Sequence, residues 1–134
     1  MDDTQLWQAF ESQTLLESAW THRAHLRMAF LFAQRFDLDE AHLRMRAGII
    51  RLNARHGLIE SGARGYFETL TRVWLTLVRQ AAIESNATSS LELLALRPEL
   101  LNRELPLKHY TRGRLFSVHA RSVYVPPDLV PLPL

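Results

Sequence analysis

Cysteine is absent from this 134-residue chain, which removes disulfides, thiolate metal centres and a cysteine nucleophile together. That absence fits a reducing compartment. Lysine is reduced to Lys108, the other fifteen basic residues being arginine. Arginine in that share has two readings, recognition of anions or the base composition of a genome. The five glycines form no phosphate-cradling loop, and neither a G-x-S-x-G elbow nor an H-E-x-x-H pair occurs. None of the five aspartates pairs with a glutamate in an acid/base arrangement. The longest purely apolar run, Met28 to Ala33, is far too short to cross a bilayer. Asp2 and Asp3 open the chain without the apolar stretch of a signal peptide. The expectation is a cytoplasmic protein with no membrane partner. A net charge of +2, with no basic stripe interleaved with aromatics, argues against nucleic acid as a partner.

What remains is ordinary for a folded domain: 47% apolar and 22% charged residues over one domain's length. The periodicity predicts an all-α fold, a single-domain bundle over 1–134. It has three long helices, short N- and C-terminal helices and an extended proline-rich tail from about 123. Thr4 reads as the cap of a short first helix carrying Leu6, Trp7 and Phe10. A second helix runs from about Leu16 to Arg35. Asp39 reads as the cap of a third, which stops at His56-Gly57 with glycine past the end. A fourth runs from Gly65-Tyr66 to about Glu84. Ser89 or Ser90 caps a short piece, Pro98 opens another, and Thr111 caps a turn over Arg112 to Ser117. Four prolines after Val123 exclude helix, while Leu129, Val130, Leu132 and Leu134 suit a strap lying over an apolar seam.

The second helix carries the segment Trp20-Thr21-His22-Arg23-Ala24-His25-Leu26. Histidines three apart lie on one helix face. Arg23, Arg27 and Gln34 mark the wet side, and His25 sits opposite, in line with Met28, Phe32 and Phe36. An imidazole in an apolar stripe needs a hydrogen-bond partner. It is either a core histidine tied to a carbonyl or to a hydroxyl such as Thr21, or part of a ligand or acid/base pair.

The third helix has two polar lines, Arg44-Arg51-Arg55 and His42-Arg46-Asn53, on nearly opposite sides. Packing on both apolar flanks would turn one line inward, towards the histidines. A helix lying flat would leave one flank exposed. On the fourth helix Thr69, Arg72, Thr76 and Arg79 read as wet, Phe67 as inward, and Thr71 as between the faces. Glu68 falls near the wet edge, four residues before Arg72, in the order of a surface ion pair.

The chain resembles a widespread bacterial family of small helical proteins. The family's aromatic-x-His-x-x-His-Leu segment is matched by Trp20–Leu26, and its Tyr-His-Glu-Thr-x-Thr segment by Tyr66-Phe67-Glu68-Thr69-Leu70-Thr71. A C-terminal series is matched by Tyr110–Ser117, Ala120-Arg121 and Pro127-Asp128-Leu129. The resemblance implies the helical fold and brings no activity with it. Phe67 stands where the family pattern has histidine, so an interior that could gather three imidazoles holds two.

These residues point to a partly polar bundle interior centred on His22 and His25, a candidate small-molecule or catalytic site. His22 and His25 are the catalytic candidates, as general base or hydrogen-bond donor. Asn53, Tyr66 and Thr71 are the candidate ligand-binding neighbours, with Arg121 or Arg114 closing the site from the C-terminal segment. No cofactor is expected. A metal would fall to His22 and His25 and would need a further ligand, since Glu68 turns away. The alternative is a non-catalytic interaction module, a homodimer through the exposed flank of the third helix, with both histidines as core residues.

Overall fold

A carboxylate begins the first helix two residues earlier than a threonine would. Asp2 accepts the Gln5 backbone N–H at 2.8 Å while the Gln5 side chain accepts the Asp2 N–H at 2.9 Å, a closed capping box. Asp2 therefore replaces Thr4 as the cap of α1 (Asp3–Glu11). The structure, a computed structural model, describes residues 1–133. Leu134, counted above with the apolar residues of the tail, lies outside them. Every regular element among the described residues is helical.

A short 3-10 turn at Glu17–Ala19 precedes α2 (His22–Arg35), which starts six residues later than Leu16. Thr21 sets that start, its hydroxyl accepting the Ala24 N–H at 3.2 Å. Both histidines thus sit in the first turn of α2 rather than in its middle. From Leu26 through Phe32 every side chain is buried, and α2 packs against α1, α3, α4 and α5 as the central helix. Arg27, read as wet, is 9% exposed. Its guanidinium donates to Ser90 Oγ and to the Met1 carbonyl at 2.8 Å each, and to Asp3 at 3.2 Å. A buried arginine is stable when its fork is filled this way. Its partners come from distant parts of the chain, which a helical wheel does not contain.

α3 (Leu38–Arg55) is capped by Asp37, which accepts the Glu40 N–H at 2.9 Å, and not by Asp39. The helix combines the two arrangements open to it. Leu43, Ala47 and Ile50 are an exposed flank, yet His42 and Asn53 are buried beside the packed flank of Met45, Ile49 and Leu52. Gly48 lies where a Cβ would run into the Phe10 ring, so its missing side chain lets that ring pack against α3. Past the end, Gly57 adopts φ 77°, the Gly57 N–H bonds Ala54 O and the Leu58 N–H bonds Asn53 O. This is a Schellman ending. It returns Leu58 beside Asn53.

α4 (Glu68–Ser85) begins with Phe67 at the cap position, two residues later than Gly65-Tyr66, and ends at Asn86 in the left-handed region. Thr69 and Thr76, read as wet, are both buried. The Thr76 hydroxyl satisfies itself on Arg72 O at 2.8 Å. The Thr69 hydroxyl donates to Val123 O at 3.0 Å and accepts the Val125 N–H at 3.2 Å.

The remainder is α5 (Ser90–Leu96), capped by Ser89, two 3-10 turns at Pro98–Leu101 and Leu105–Lys108, α6 (Arg112–Leu115) and α7 (Val118–Ser122). Ser117 caps α7 afresh, which divides the turn expected over Arg112 to Ser117. Beyond Val123 the described residues form no regular element and bend at 128–130. Prolines leave the tail short of N–H donors, so besides the Val125 and Leu129 N–H groups and the Asp128 carboxylate, which takes Thr111, four of its carbonyls hold it. Val123 O takes Thr69, Val125 O takes Tyr110 at 2.7 Å, Pro126 O takes Arg114 at 2.7 Å, and Val130 O takes His109 Nδ1 at 2.9 Å. Val125 is buried and Leu132 packs on the core, whereas Leu129 and Val130 are exposed. No helix among the described residues is long and apolar enough to cross a membrane.

Candidate ligand-binding cleft

Where the first turn of α2 faces α3 and the first turns of α4, the bundle opens into a cleft of about 520 Å³. α2 and the residue before its cap supply Trp20, His22 and His25, and α3 supplies Met45, Ile49 and Asn53. Phe67, Leu70, Thr71 and Trp74 come from α4 and its cap. Leu58, Gly65 and Tyr66 of the α3–α4 loop close one side, with Arg103 and Phe116 from the C-terminal half. Of the sequence-predicted residues, His22, His25, Asn53, Tyr66 and Thr71 meet there. Arg121 and Arg114 do not. Arg121 lies over the Phe67 ring, 4.5 Å from its centroid, and donates to Gly65 O and Ala63 O at 3.3 and 3.4 Å. It braces that wall from behind, while Arg114 is spent on the tail.

His22 and His25 differ in chemistry. His22 Nε2 donates to the Leu100 carbonyl at 3.1 Å, which leaves Nδ1 as its acceptor, and its ring meets Trp74 edge-on at 4.7 Å. Burial lowers its pKa, with Arg103 adding to the effect. His25 lies flat against Trp20 and makes no hydrogen bond through its ring among the described residues. Neither nitrogen is sealed from the cleft. Burial first, then the neighbouring His22 and Arg103 charges, push its pKa down to about 3. The ring is therefore neutral at pH 7, with one donor and one acceptor to offer.

Asn53 is 7% exposed and lines the cleft, and its side-chain amide has no hydrogen-bond partner among the described residues without being sealed. Thr71 lines the wall but donates its hydroxyl to Phe67 O at 2.8 Å. The polar groups left available in the interior are thus the Asn53 amide and the imidazoles.

Tyr66 joins the cleft to a charged cluster behind it. Its hydroxyl donates to Glu68 Oε1 at 2.6 Å, and His42 Nε2 donates to the same oxygen at 2.9 Å. Arg46 grips both carboxylate oxygens, its Nε 3.1 Å from Oε1 and its Nη2 on Oε2. Glu68 thus turns inward, with a side chain 13% exposed, and does not pair with Arg72. Arg72 instead reaches Asp39 at 2.8 Å. Burial works to raise the Glu68 pKa, but the Tyr66 and Arg46 hydrogen bonds and the facing charges hold it below its ordinary value. Burial lowers the His42 pKa despite Glu68, so His42 is a neutral donor and Arg46 is the counter-ion. Burial and the bond to Glu68 raise the Tyr66 pKa. Both Glu68 oxygens are filled, and the cluster pins α3 to the start of α4, holding two cleft walls at a set separation.

No three His, Asp or Glu side chains converge as metal ligands among the described residues. Sequence reading missed Arg103 as a lining residue. It lies on a loop between two 3-10 turns, with no periodic signal to orient it. No family model, curated protein or solved structure matches the chain.

Proposed function

We propose that the cleft binds a small organic molecule, read by the Asn53 amide and the edge of His25 within an otherwise aromatic and aliphatic wall. The observation that carries this is Asn53. The amide has no partner in the protein and is open to the cleft rather than sealed, so it is free to bond whatever enters there, which a leucine in its place could not do. A ligand supplying a donor and an acceptor accounts for retaining it. The volume lies within the range of about 300–1,000 Å³ usual for such sites.

Binding fits the two histidines better than acid–base catalysis. A general base works best with a pKa near the operating pH, whereas His25 is held at about 3. His22 is committed to Leu100. In this reading His25 is a hydrogen-bonding contact and His22 positions the Leu100–Arg103 segment. Membership of the helical family joins the same proposal, because Trp20–Leu26 and Tyr66–Thr71, two of the segments that carry the resemblance, both contribute cleft walls.

The second reading, a homodimeric module without a ligand, draws support from Leu43 and Ile50, 58% and 39% exposed on one flank of α3. That flank is interrupted by exposed Arg44 and Arg51, and the cleft has no part in it. A fragment library followed by ¹⁵N NMR separates the two. Binding predicts fragments that move the Asn53 side-chain amide and the Trp20 and Trp74 indole resonances, and that lose affinity in Asn53→Leu while the fold stays intact. No such fragment, with a dimer in sedimentation, overturns it.

A further inference from the structure

The lining of the cleft has a one-sided charge. No Asp or Glu is among the side chains that form it, and Arg103 is its one guanidinium. Arg103 is exposed, so it stands at the mouth, and it makes no ion pair or hydrogen bond among the described residues. Arg23, Arg51, Arg55, Arg64 and Arg79 are likewise without a side-chain partner among the described residues, so what distinguishes Arg103 is its place in the lining of the cleft. The Arg103 segment is also held in place. His22 anchors the Leu100 carbonyl three residues before it, and Leu100 itself is buried.

Behind the mouth the wall is aromatic. Trp20 is stacked with His25, Trp74 meets His22 edge-on, and Phe67 meets Phe116 at 6.2 Å in an edge-to-face pair backed by Arg121. Rings held by such contacts present fixed faces and edges to a flat guest. The buried Asn53 amide, without a partner of its own, points to a ligand with a polar edge rather than a hydrocarbon.

We propose that the ligand of this cleft is an aromatic anion, its ring system taken by the Trp20, Phe67 and Trp74 wall and its acidic group met by Arg103. The inference rests on the small-molecule reading above and names the class of molecule. A cation is disfavoured because the cleft offers it no carboxylate and sets Arg103 against it. An uncharged aromatic would fill the wall but leave Arg103 unused. A planar guanidinium pairs well with a carboxylate through two parallel bonds.

The test uses three probes with one ring system and three charges: 2-naphthoate, 2-naphthamide and 2-naphthylmethylammonium. Each is titrated into the intact protein by calorimetry, with the Trp20 and Trp74 indole and Asn53 amide resonances reporting the site. The expected order is naphthoate first, by about threefold to fivefold over the amide for a partly solvated ion pair, with the ammonium weakest. Arg103→Gln, at an exposed position, is expected to bring naphthoate level with the amide and leave amide affinity unchanged. Equal binding of naphthoate and amide, a preference for the ammonium, or a naphthoate preference that survives Arg103→Gln overturns the charge assignment while leaving the small-molecule reading intact. So does failure of all three where other library fragments bind. Failure of every fragment removes both.

Discussion

His25 lies face to face with Trp20, ring centroids 3.8 Å apart and planes 26° from parallel. The contact explains how an imidazole survives in that position without a protein hydrogen bond. One face is covered by indole and the edges are left to the cleft. The same burial holds the pKa at about 3, against an ordinary value of 6.5. Between those values the unfolded chain carries a proton that the folded chain does not, so stability rises with pH and is lost on acidification. His25 contributes a slope of up to about 1.4 kcal/mol per pH unit in that window. His22 and His42 are lowered too and add in the same direction. Urea unfolding of the wild type and of His25→Asn at pH 7, 6, 5 and 4 isolates the one group. The variant is expected to lose less stability than the wild type as the pH falls. Parallel profiles would mean that the ring takes up its proton in the folded state as easily as in the unfolded one.

Glu68 and Asp39 give opposite results on removal although both pair with arginine. Glu68 collects Tyr66, His42 and Arg46 on a largely buried carboxylate. Glu68→Ala leaves three donors short of an acceptor and an arginine without its counter-ion, at a cost of about 2–3 kcal/mol. Asp39 is 83% exposed at its side chain, and Asp39→Ala should cost less than about 1 kcal/mol. Denaturant midpoints of the two variants check the contrast. Equal costs would place Glu68 at the surface, as its sequence spacing first implied.

The bundle was readable from periodicity because α2, α3 and α4 bury side chains over most of their length, and a wheel records such averages. The polar residues were not. Arg27 and Glu68 stand where a wheel places solvent, yet each is buried by partners from other elements: Asp3 and Ser90 for the first, His42 and Arg46 for the second. Nothing local in the sequence announces those meetings. Asn53 was readable as a candidate only on the condition that α3 packs with the His42-Arg46-Asn53 line turned inward, and the burial of His42 and Asn53 beside Ile49 meets that condition. Arg121 was misplaced because a stacking position behind Phe67 and a lining position in front of it share the same neighbours in sequence. Cap assignments slipped at Thr4 and Asp39 for a simpler reason. Each has another capping side chain two residues earlier, Asp2 and Asp37, and the earlier one starts the helix.

Gly48 tests how closely α1 seats on α3. A Cβ there would overlap the Phe10 ring, which is itself packed edge-on against Phe32 at 5.8 Å and tilted against Trp20 at 5.4 Å. In an exposed helix Gly→Ala gains about 1 kcal/mol. Here overpacking of about 1–3 kcal/mol opposes it, so Gly48→Ala should come out net destabilising by thermal or urea unfolding. In a Phe10→Leu background the clash is relieved and the same substitution should become neutral or stabilising. A stabilising Gly48→Ala in the wild-type background would show that the ring moves aside freely.

The tail offers the last test, because its attachment runs through hydrogen bonds more than through apolar area. Tyr110, fully buried, donates to Val125 O at 2.7 Å. Tyr110→Phe keeps the ring's packing and removes one bond to a buried carbonyl, worth about 1 kcal/mol. Thr69→Val removes two tail contacts at similar volume, the bond to Val123 O and the one from Val125 N–H. If the tail opens as a unit, each substitution should speed amide exchange at Leu129, whose N–H bonds His109 O. A loss of about 1 kcal/mol in local stability corresponds to roughly fivefold faster exchange. Amides in the middle of α2 should keep their wild-type rates relative to global unfolding, since none of their bonds involves the tail. Acceleration of the α2 amides by the same factor would mean instead that the tail is part of the cooperative core and opens only when the bundle does.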